Sequence, residues 1–305
     1  MGTLFRLVFY AQDERTANRA ASEAFARIAE LERVFSTYDP QSEARRLCAG
    51  SAVDSWVTAS SDLTRVLSIG QQISKSTDGA FDITIGPVTR IWRQARRNQQ
   101  FPARSKLDLA KKAVGYQLLQ VDSDRLRIRL KHVDMRFDFG GIAKGDALDE
   151  VANILKKHQI DRFSIDGGGD ILVGKVPPEA GWPVSIPGLT SDGPPIKIRL
   201  PGGHAIATSG DIYQYLEYKG ERYSHLVDPR TGRAVKGRRQ VTVIAKKGIT
   251  ADSWASAASV LSVPEALRVI GERRDLGLRL LVERDGAVRE NYAGGLQHMF
   301  CNEKK

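Results

Sequence analysis

The chain has 305 residues, 41% of them hydrophobic and 27% charged, which is typical of a soluble globular protein and argues against disorder. No apolar run reaches the roughly 18 residues that a membrane helix needs. The two cysteines are too few for a disulfide framework. The net charge of +10 comes without a nucleic-acid-binding motif, so a basic surface that attracts a polyphosphate ligand is the better interpretation.

Apolar periodicity predicts the elements of the N-terminal half in chain order. They are a strand at the N-terminus, a helix over 13–35, a short strand at Trp56 and Val57, a helix from Ser60 or Ser61 to just before Asp78, an exposed helix face from Arg90 to Arg97, a short helix from Ser105, and a hairpin of 118–121 with 126–130.

The C-terminal half is predicted to contain more strands than helices. Its elements are a glycine-rich turn and helix over 138–159, strands at 162–165 and 171–173, a strand from Ile196, a hairpin of 212–218 with 221–226, a strand at 241–245, a helix from Thr250, a helix over 264–270 and a strand at 278–282. Strands that follow one another with few helices between them indicate an α+β fold, with mixed or antiparallel sheets and packed helices.

The glycine run in IDGGGDILVGK, residues 165–175, invites comparison with a dinucleotide-binding fingerprint. That fingerprint requires a helix directly after the glycines. Here Ile171, Leu172 and Val173 continue as a strand, so the Rossmann interpretation is rejected.

The segment GITADSWASAASVL, residues 248–261, places Asp252 and Ser256 four positions apart on a predicted helix, and therefore on one face. A carboxylate and a hydroxyl near a helix N-terminus suit a hard cation such as Mg²⁺ held beside a phosphate. The alternative, in which Asp252 only caps a helix and Ser256 only packs, stays open and is favoured on these residues alone.

A second segment, DFGGIAKGDAL over 138–148, has a glycine-rich turn that exposes backbone groups to a phosphate or a metal. Lys144 falls in the first turn of the following helix, where a cation is unfavourable by about 0.3–1 kcal/mol. We therefore expect an anionic ligand to offset it. His225, at the end of a predicted strand, is either a general base or anion contact, or a structural histidine bonded to a neighbouring carbonyl.

Eight segments in order resemble the FAD:protein FMN transferases, the ApbE-like flavin transferase family. They are MGTLFRL, FSTYDPQSEARRL, STDGAFDITIGP, DFGGIAKGDALDEVA, IDGGGDILVGK, AIATSGD, RYSHLVDPRTG and TADSWASA. They extend from Met1 to about Leu261. The resemblance implies a single domain over 1–305, with two lobes around a flavin-binding cleft.

The resemblance also implies an activity and roles for individual residues. FMN would move from FAD to a Thr or Ser hydroxyl of a target flavoprotein as a phosphoester, with Mg²⁺ bound and AMP released. The metal would be held by the Gly141 carbonyl, Asp252 and Ser256, with Asp252 also catalytic and His225 as the base. FAD contacts are implied for Met1, Tyr38, Ala80, Phe81, Asp82, Asp138, Lys144 and the backbone near Leu226.

Two departures from the family pattern are apparent. Serine at position 256 stands where the family usually has threonine; it keeps the oxygen. The family is usually exported behind a lipoprotein signal, in the periplasm or anchored to the membrane, whereas this sequence shows no signal peptide or lipobox, which leaves the compartment open. An FAD pyrophosphatase that yields free FMN and AMP, and a flavin-binding protein without turnover, are the alternative functions.

Overall fold

The computed structural model describes residues 2–176, 181–191 and 193–301. These residues form fifteen strands: β1 Phe5–Phe9, β2 Trp56–Thr58, β3 Leu119–Asp122, β4 Arg127–Leu130, β5 Phe163–Gly167, β6 Asp170–Val173, β7 Trp182–Ile186, β8 Ile196–Leu200, β9 His204–Gly210, β10 Tyr215–Tyr218, β11 Glu221–Asp228, β12 Arg233–Lys236, β13 Arg239–Ala245, β14 Gly277–Arg284 and β15 Ala287–Ala293.

The same residues form eight α-helices: α1 Glu14–Phe35, α2 Glu43–Gly50, α3 Ser61–Ser76, α4 Gly86–Asn98, α5 Arg104–Lys111, α6 Ala143–Lys157, α7 Gly248–Val260 and α8 Val263–Gly271. Short 3-10 turns lie at Tyr116–Leu118 and Gln297–Cys301. Within the described part of the chain, no helix combines the length and apolarity that crossing a membrane requires.

A seven-stranded sheet with the order β1-β5-β6-β9-β13-β14-β15 forms the centre of the fold, and every neighbouring pair in it is antiparallel. Helices α6 and α7 pack side by side on one face of it, with α1 against α6. Most of α7 is buried, because its alanines and serines are small enough to let the helix lie close to the sheet.

Two further groups of elements complete the core. The β7–β8 hairpin covers the other face of the sheet, where its apolar side chains pack with Met299 and Phe300. Helices α4 and α5 pack against the small β10–β11–β12 sheet, and Trp92 of α4 donates to the carbonyl of Gly232 at 3.0 Å. Helices α4 and α5 and the β10–β11–β12 sheet lie beside the central sheet, next to the opening of the site described below.

The α+β prediction is confirmed, and most elements match, with a few errors. Helix α7 begins at Gly248 rather than Thr250, and the first strand of the predicted 212–218 hairpin covers only Tyr215–Tyr218. Helix α2 and strands β7, β9, β12 and β15 were not predicted. The two-lobe arrangement and the single domain over 1–305 stay predictions.

Candidate functional site

The two segments singled out in the sequence meet at one cavity of about 950 Å³, at the upper end of the roughly 300–1,000 Å³ range of ligand sites. Ten predicted site residues line it: Tyr38, Ala80, Phe81, Asp82, Asp138, Gly141, Lys144, His225, Leu226 and Ser256. Asp252 is buried behind Lys144, which it contacts. Met1 lies outside the described residues.

Helices α6 and α7 cap each other beside this cavity, which Lys144 of α6 and Ser256 of α7 line. The carboxylate of Asp149 on α6 accepts the amides of Gly248 and Ile249 at the start of α7, at 2.7 and 3.0 Å. The carboxylate of Asp252 on α7 accepts the amide of Gly145 near the start of α6, at 3.1 Å. The exchange joins the starts of the two helices, and the carboxylates of Asp149 and Asp252 are the anions that these positive helix ends hold.

The close approach of the two helices depends on glycine at both contact points. A Cβ added to Gly145 would lie 2.2 Å from the carbonyl oxygen of Gly248, and a Cβ added to Gly248 would lie 2.5 Å from that of Gly145. Both are far inside van der Waals contact, and both clashes are with backbone. Only a glycine pair therefore lets Asp149 and Asp252 reach the opposite helix.

Lys144 lies between two buried carboxylates at the base of the cavity. Its Nζ is 2.9 Å from Asp170 Oδ2 and 3.3 Å from Asp252 Oδ1. Burial works to lower the pKa of Lys144, but the charges of Asp252 and Asp170 outweigh it, so that the pKa is raised. Burial raises the pKa of Asp170, against the charge of Lys144. The cation at this helix start is thus offset by two side chains, and not only by a ligand as expected.

Gly141 and Ser256 are in direct contact. A Cβ on Gly141 would lie 2.4 Å from Ser256 Oγ, so the hydroxyl occupies the space that a side chain would need. The Oγ of Ser209 on β9 is 3.3 Å from the same hydroxyl. The predicted spacing therefore does place Asp252 and Ser256 on one face of α7, toward the turn at Gly141.

The donor set at this point fits a hard cation. Among the described residues, no three His, Cys, Asp or Glu side chains cluster as a metal site. A cation here would therefore rely on one carboxylate, a hydroxyl and a backbone carbonyl, with phosphate oxygens completing the shell. This is an all-oxygen set of the kind that Mg²⁺ uses when it binds together with a phosphate ligand.

Asp138 holds its turn in place. Its Oδ1 accepts the amide of Gly140 at 3.0 Å, and its Oδ2 accepts Thr89 Oγ1 and Arg93 Nη2, each at 2.7 Å. The guanidinium of Arg93 also lies 5.2 Å from the ring centroid of Tyr38, whose side chain is largely exposed at the mouth of the cavity. The arginine run that was predicted as an exposed face thus contributes two residues, Arg93 and Arg96, to the cavity wall.

The turn at Ala80, Phe81 and Asp82 is buried along the cavity wall. The Oδ1 of Asp82 accepts both the amide and the hydroxyl of Thr84, at 2.8 and 2.7 Å. Burial raises the pKa of Asp82, and these hydrogen bonds oppose the rise. The carboxylate fixes the conformation of the turn.

His225 is bonded to a backbone carbonyl and also lines the cavity. Its Nδ1 lies 3.3 Å from the oxygen of Gln214, and its own amide donates to the same oxygen at 2.9 Å. If Nδ1 carries the proton, the lone pair of the neutral ring is on Nε2. Burial, with the charge of Arg96 second, lowers the pKa of His225 to about 4. The ring is therefore neutral at physiological pH and able to accept a proton.

Sequence reasoning missed Asp170 and Ser209. The glycine run that contains Asp170 was weighed as a dinucleotide fingerprint and counted among the eight family-like segments, but Asp170 itself was given no role. Ser209 lies on β9, which was not predicted. One signal was available: a lone aspartate that begins a buried strand directly after three glycines, in GGGDILV. Strands of this kind rarely bury a carboxylate without a partner.

Comparison with known proteins places this geometry among flavin-transferring relatives. The sequence model of the ApbE family matches residues 1–280. The chain is 28% identical over 295 residues to the FAD:protein FMN transferase of Haemophilus influenzae, covering 93% of this chain and 85% of that protein. It is 26% identical over 314 residues to that of Escherichia coli K12, covering 100% and 88%.

Solved structures show the same likeness. The flavin transferase ApbE from Vibrio cholerae superimposes with a TM-score of 0.86 at 26% identity, covering 98% of this chain and 96% of that chain. The ApbE protein from Thermotoga maritima superimposes with a TM-score of 0.86 at 27% identity, covering 100% and 97%.

Proposed function

Because the chain belongs to the ApbE family, we propose that it transfers FMN from FAD to a Thr or Ser hydroxyl of an acceptor flavoprotein, with Mg²⁺ bound, and releases AMP. The observation that carries this proposal is that the Gly141 turn, Lys144 and Ser256 line one large cavity, with Asp252 directly behind Lys144. The glycine-rich turn before α6, together with a cation held at Asp252, would bind the diphosphate of FAD.

Gly141 through its carbonyl, Asp252 and Ser256 would hold Mg²⁺, which would supply neutralisation of charge on the diphosphate. Lys144 would add a point charge beside the same phosphates. Phosphoryl transfer asks mainly for positioning and for charge neutralisation. The mutual caps of α6 and α7 support the positioning, because they hold the helix that carries Asp252 against the helix that follows the Gly141 turn.

The transfer forms a bond between the acceptor hydroxyl oxygen and the phosphorus of the FMN moiety. The bond from that phosphorus to the bridging oxygen breaks, and its electron pair leaves with AMP. The hydroxyl proton must go to a base, because a free hydroxyl is a poor nucleophile. Nε2 of His225 is the group proposed to take it, since Nδ1 faces the Gln214 carbonyl.

Incubation with FAD, Mg²⁺ and candidate acceptor proteins, followed by intact mass of each protein, tests the proposal. We expect one acceptor to gain the mass of FMN less one water, in step with AMP release. The same reaction without an acceptor serves as the control for hydrolysis. AMP and free FMN in equal amounts, with every acceptor unmodified, would replace the transferase by an FAD pyrophosphatase.

His225→Gln is expected to slow transfer by about a hundredfold or more, the usual contribution of a general base, while FAD binding is kept. Transfer rates and an FAD titration measure the two effects. His204→Gln is the matched control, because the Nδ1 of His204 also lies near backbone carbonyls but its side chain is outside the cavity. Equal rates for His225→Gln and wild type would remove the histidine from the mechanism.

The ratio of wild-type to His225→Gln rates gives the pH dependence of this histidine, since titrations common to both proteins cancel. The pKa of His225 is lowered to about 4, so the ring stays neutral as the pH falls from 8 toward 5. We expect the ratio of transfer rates to be flat over that interval and to fall toward one as the pH passes about 4. A ratio that already falls by half near the ordinary histidine pKa, about 6.5, contradicts this assignment.

A further inference from the structure

The ammonium group of Lys144 lies against both carboxylate oxygens of Asp252, which are the atoms that would bind a metal. Its Nζ lies 3.3 and 3.4 Å from the two carboxylate oxygens of Asp252, and 3.5 Å from the carbonyl of Gly140. One of those oxygens, Oδ2, is already shared with the amide of Gly145. Lys144 therefore serves as the cation of Asp252 in the structure described here.

A divalent cation bound to Asp252 would meet this ammonium at close range. Two positive charges a few ångströms apart, partly shielded from water, repel strongly. The ammonium must move away from Asp252 or be held by another anion. The side chain of Lys144 is 26% exposed and borders the cavity, which leaves space into which its ammonium can shift.

Asp170 is the anion that can hold it. Its side chain is 4% exposed, and its Oδ2 is 2.9 Å from Lys144 Nζ, with no hydrogen-bond partner of good geometry among the described residues. Its Oδ1 accepts the amide of Thr208 at 3.2 Å. A buried carboxylate is costly unless a cation compensates it. Within the described part of the chain, Lys144 is its ion-pair partner.

We propose that Lys144 is the built-in counter-cation of Asp252, and that Asp170 is a positioning residue that takes over Lys144 when a divalent cation binds Asp252. This inference rests on the proposed function, because it concerns the same metal site. It assigns Asp170 a role separate from binding the metal or the flavin. It also makes Lys144 a competitor of the metal before FAD arrives and a partner of FAD afterwards.

The two side chains then have opposite effects on metal binding. Lys144→Met leaves the carboxylate of Asp252 to a divalent cation and removes the ammonium that competes for it. Asp170→Asn leaves one carboxylate to two cations, and keeps an Oδ1 that can still accept the Thr208 amide. A merely structural role for Lys144 would weaken metal and FAD binding together, so tighter metal binding by Lys144→Met is the change that distinguishes the two accounts.

Titration of the full chain with Mn²⁺ alone, followed by electron paramagnetic resonance, measures these signs. We expect Lys144→Met to bind Mn²⁺ at least about tenfold more tightly than wild type, and Asp170→Asn at least about tenfold more weakly. At saturating Mn²⁺, Lys144→Met should in contrast bind FAD more weakly. Asp161→Asn is the matched control, because Asp161 pairs with Lys175 on the surface at 2.6 Å; it should leave Mn²⁺ affinity unchanged.

Unchanged or weaker Mn²⁺ binding in Lys144→Met overturns the inference, as does an unchanged affinity in Asp170→Asn. Circular dichroism and the thermal midpoint show whether each variant folds. If Asp170→Asn does not fold, the sign of the Lys144→Met change decides alone. Failure of the proposed metal site is a different result: Mn²⁺ binding that Asp252→Asn leaves intact.

Discussion

Replacing Asp252 by Asn is expected to lower FMN transfer by roughly a thousandfold, equivalent to about 4 kcal/mol of transition-state stabilisation. The substitution removes the one carboxylate proposed to hold Mg²⁺, while an amide oxygen remains to accept the Gly145 amide. The fold should therefore persist, and the loss should appear in the rate. AMP release and acceptor mass at increasing Mg²⁺ concentrations measure it.

Asp149→Asn is the matched control for this prediction. Asp149 is the mirror image of Asp252 in the mutual caps, a buried carboxylate that accepts amides at the start of α7. It has no proposed contact with metal or flavin. We expect it to cost stability and to keep most of the activity. Equal losses of transfer in both variants would mean that Asp252 acts only as a cap.

Replacing Gly145 by Ala is expected to destabilise the protein by about 3 kcal/mol or more. The new Cβ would lie 2.2 Å from the carbonyl oxygen of Gly248 and 2.7 Å from the Cα of Ile249, both backbone atoms that cannot rotate away. Intrinsic helix propensity favours Ala over Gly by about 1 kcal/mol, so a measured loss has to come from the helix contact. Denaturant unfolding gives the free energy.

Gly271→Ala provides the comparison, because it changes another helical glycine where nothing lies within 4 Å of the added Cβ. Because Gly271 is the last residue of α8, its replacement should cost no stability and should gain at most the roughly 1 kcal/mol of helix propensity. The clash at Gly145 should also part α6 from α7 and so draw Asp252 away from the Gly145 amide, which lowers transfer. Wild-type stability in Gly145→Ala would show that the two helices have room to spare, and would weaken the case for a rigid site.

Local pattern sufficed for most elements and for the α+β fold. The helix predicted over 13–35 is found at Glu14–Phe35, because Asp13 caps it through the amide of Thr16 and the apolar stripe follows it. The resemblance to the ApbE family, drawn from eight short segments, is confirmed by the match over residues 1–280. These features depend on neighbours in the sequence.

Part of what escaped prediction depends on partners far along the chain. Helix α7 begins two residues early because its cap, Asp149, lies 99 residues before Gly248, where no local signal points to it. One of the two carboxylates that pair with Lys144 is that of Asp170, which begins strand β6 of the central sheet. The roles of the site residues stay predictions, although the structure brings ten of them to one cavity.

The most direct test of the central claim is a crystal structure with Mn²⁺ and FAD, read from the anomalous signal of the metal. The account predicts a peak between the Asp252 carboxylate, Ser256 Oγ and the Gly141 carbonyl, at about the 2.0–2.2 Å expected for oxygen ligands, with the FAD diphosphate on its open side. A peak elsewhere, or FAD bound with its diphosphate away from the starts of α6 and α7, would contradict it.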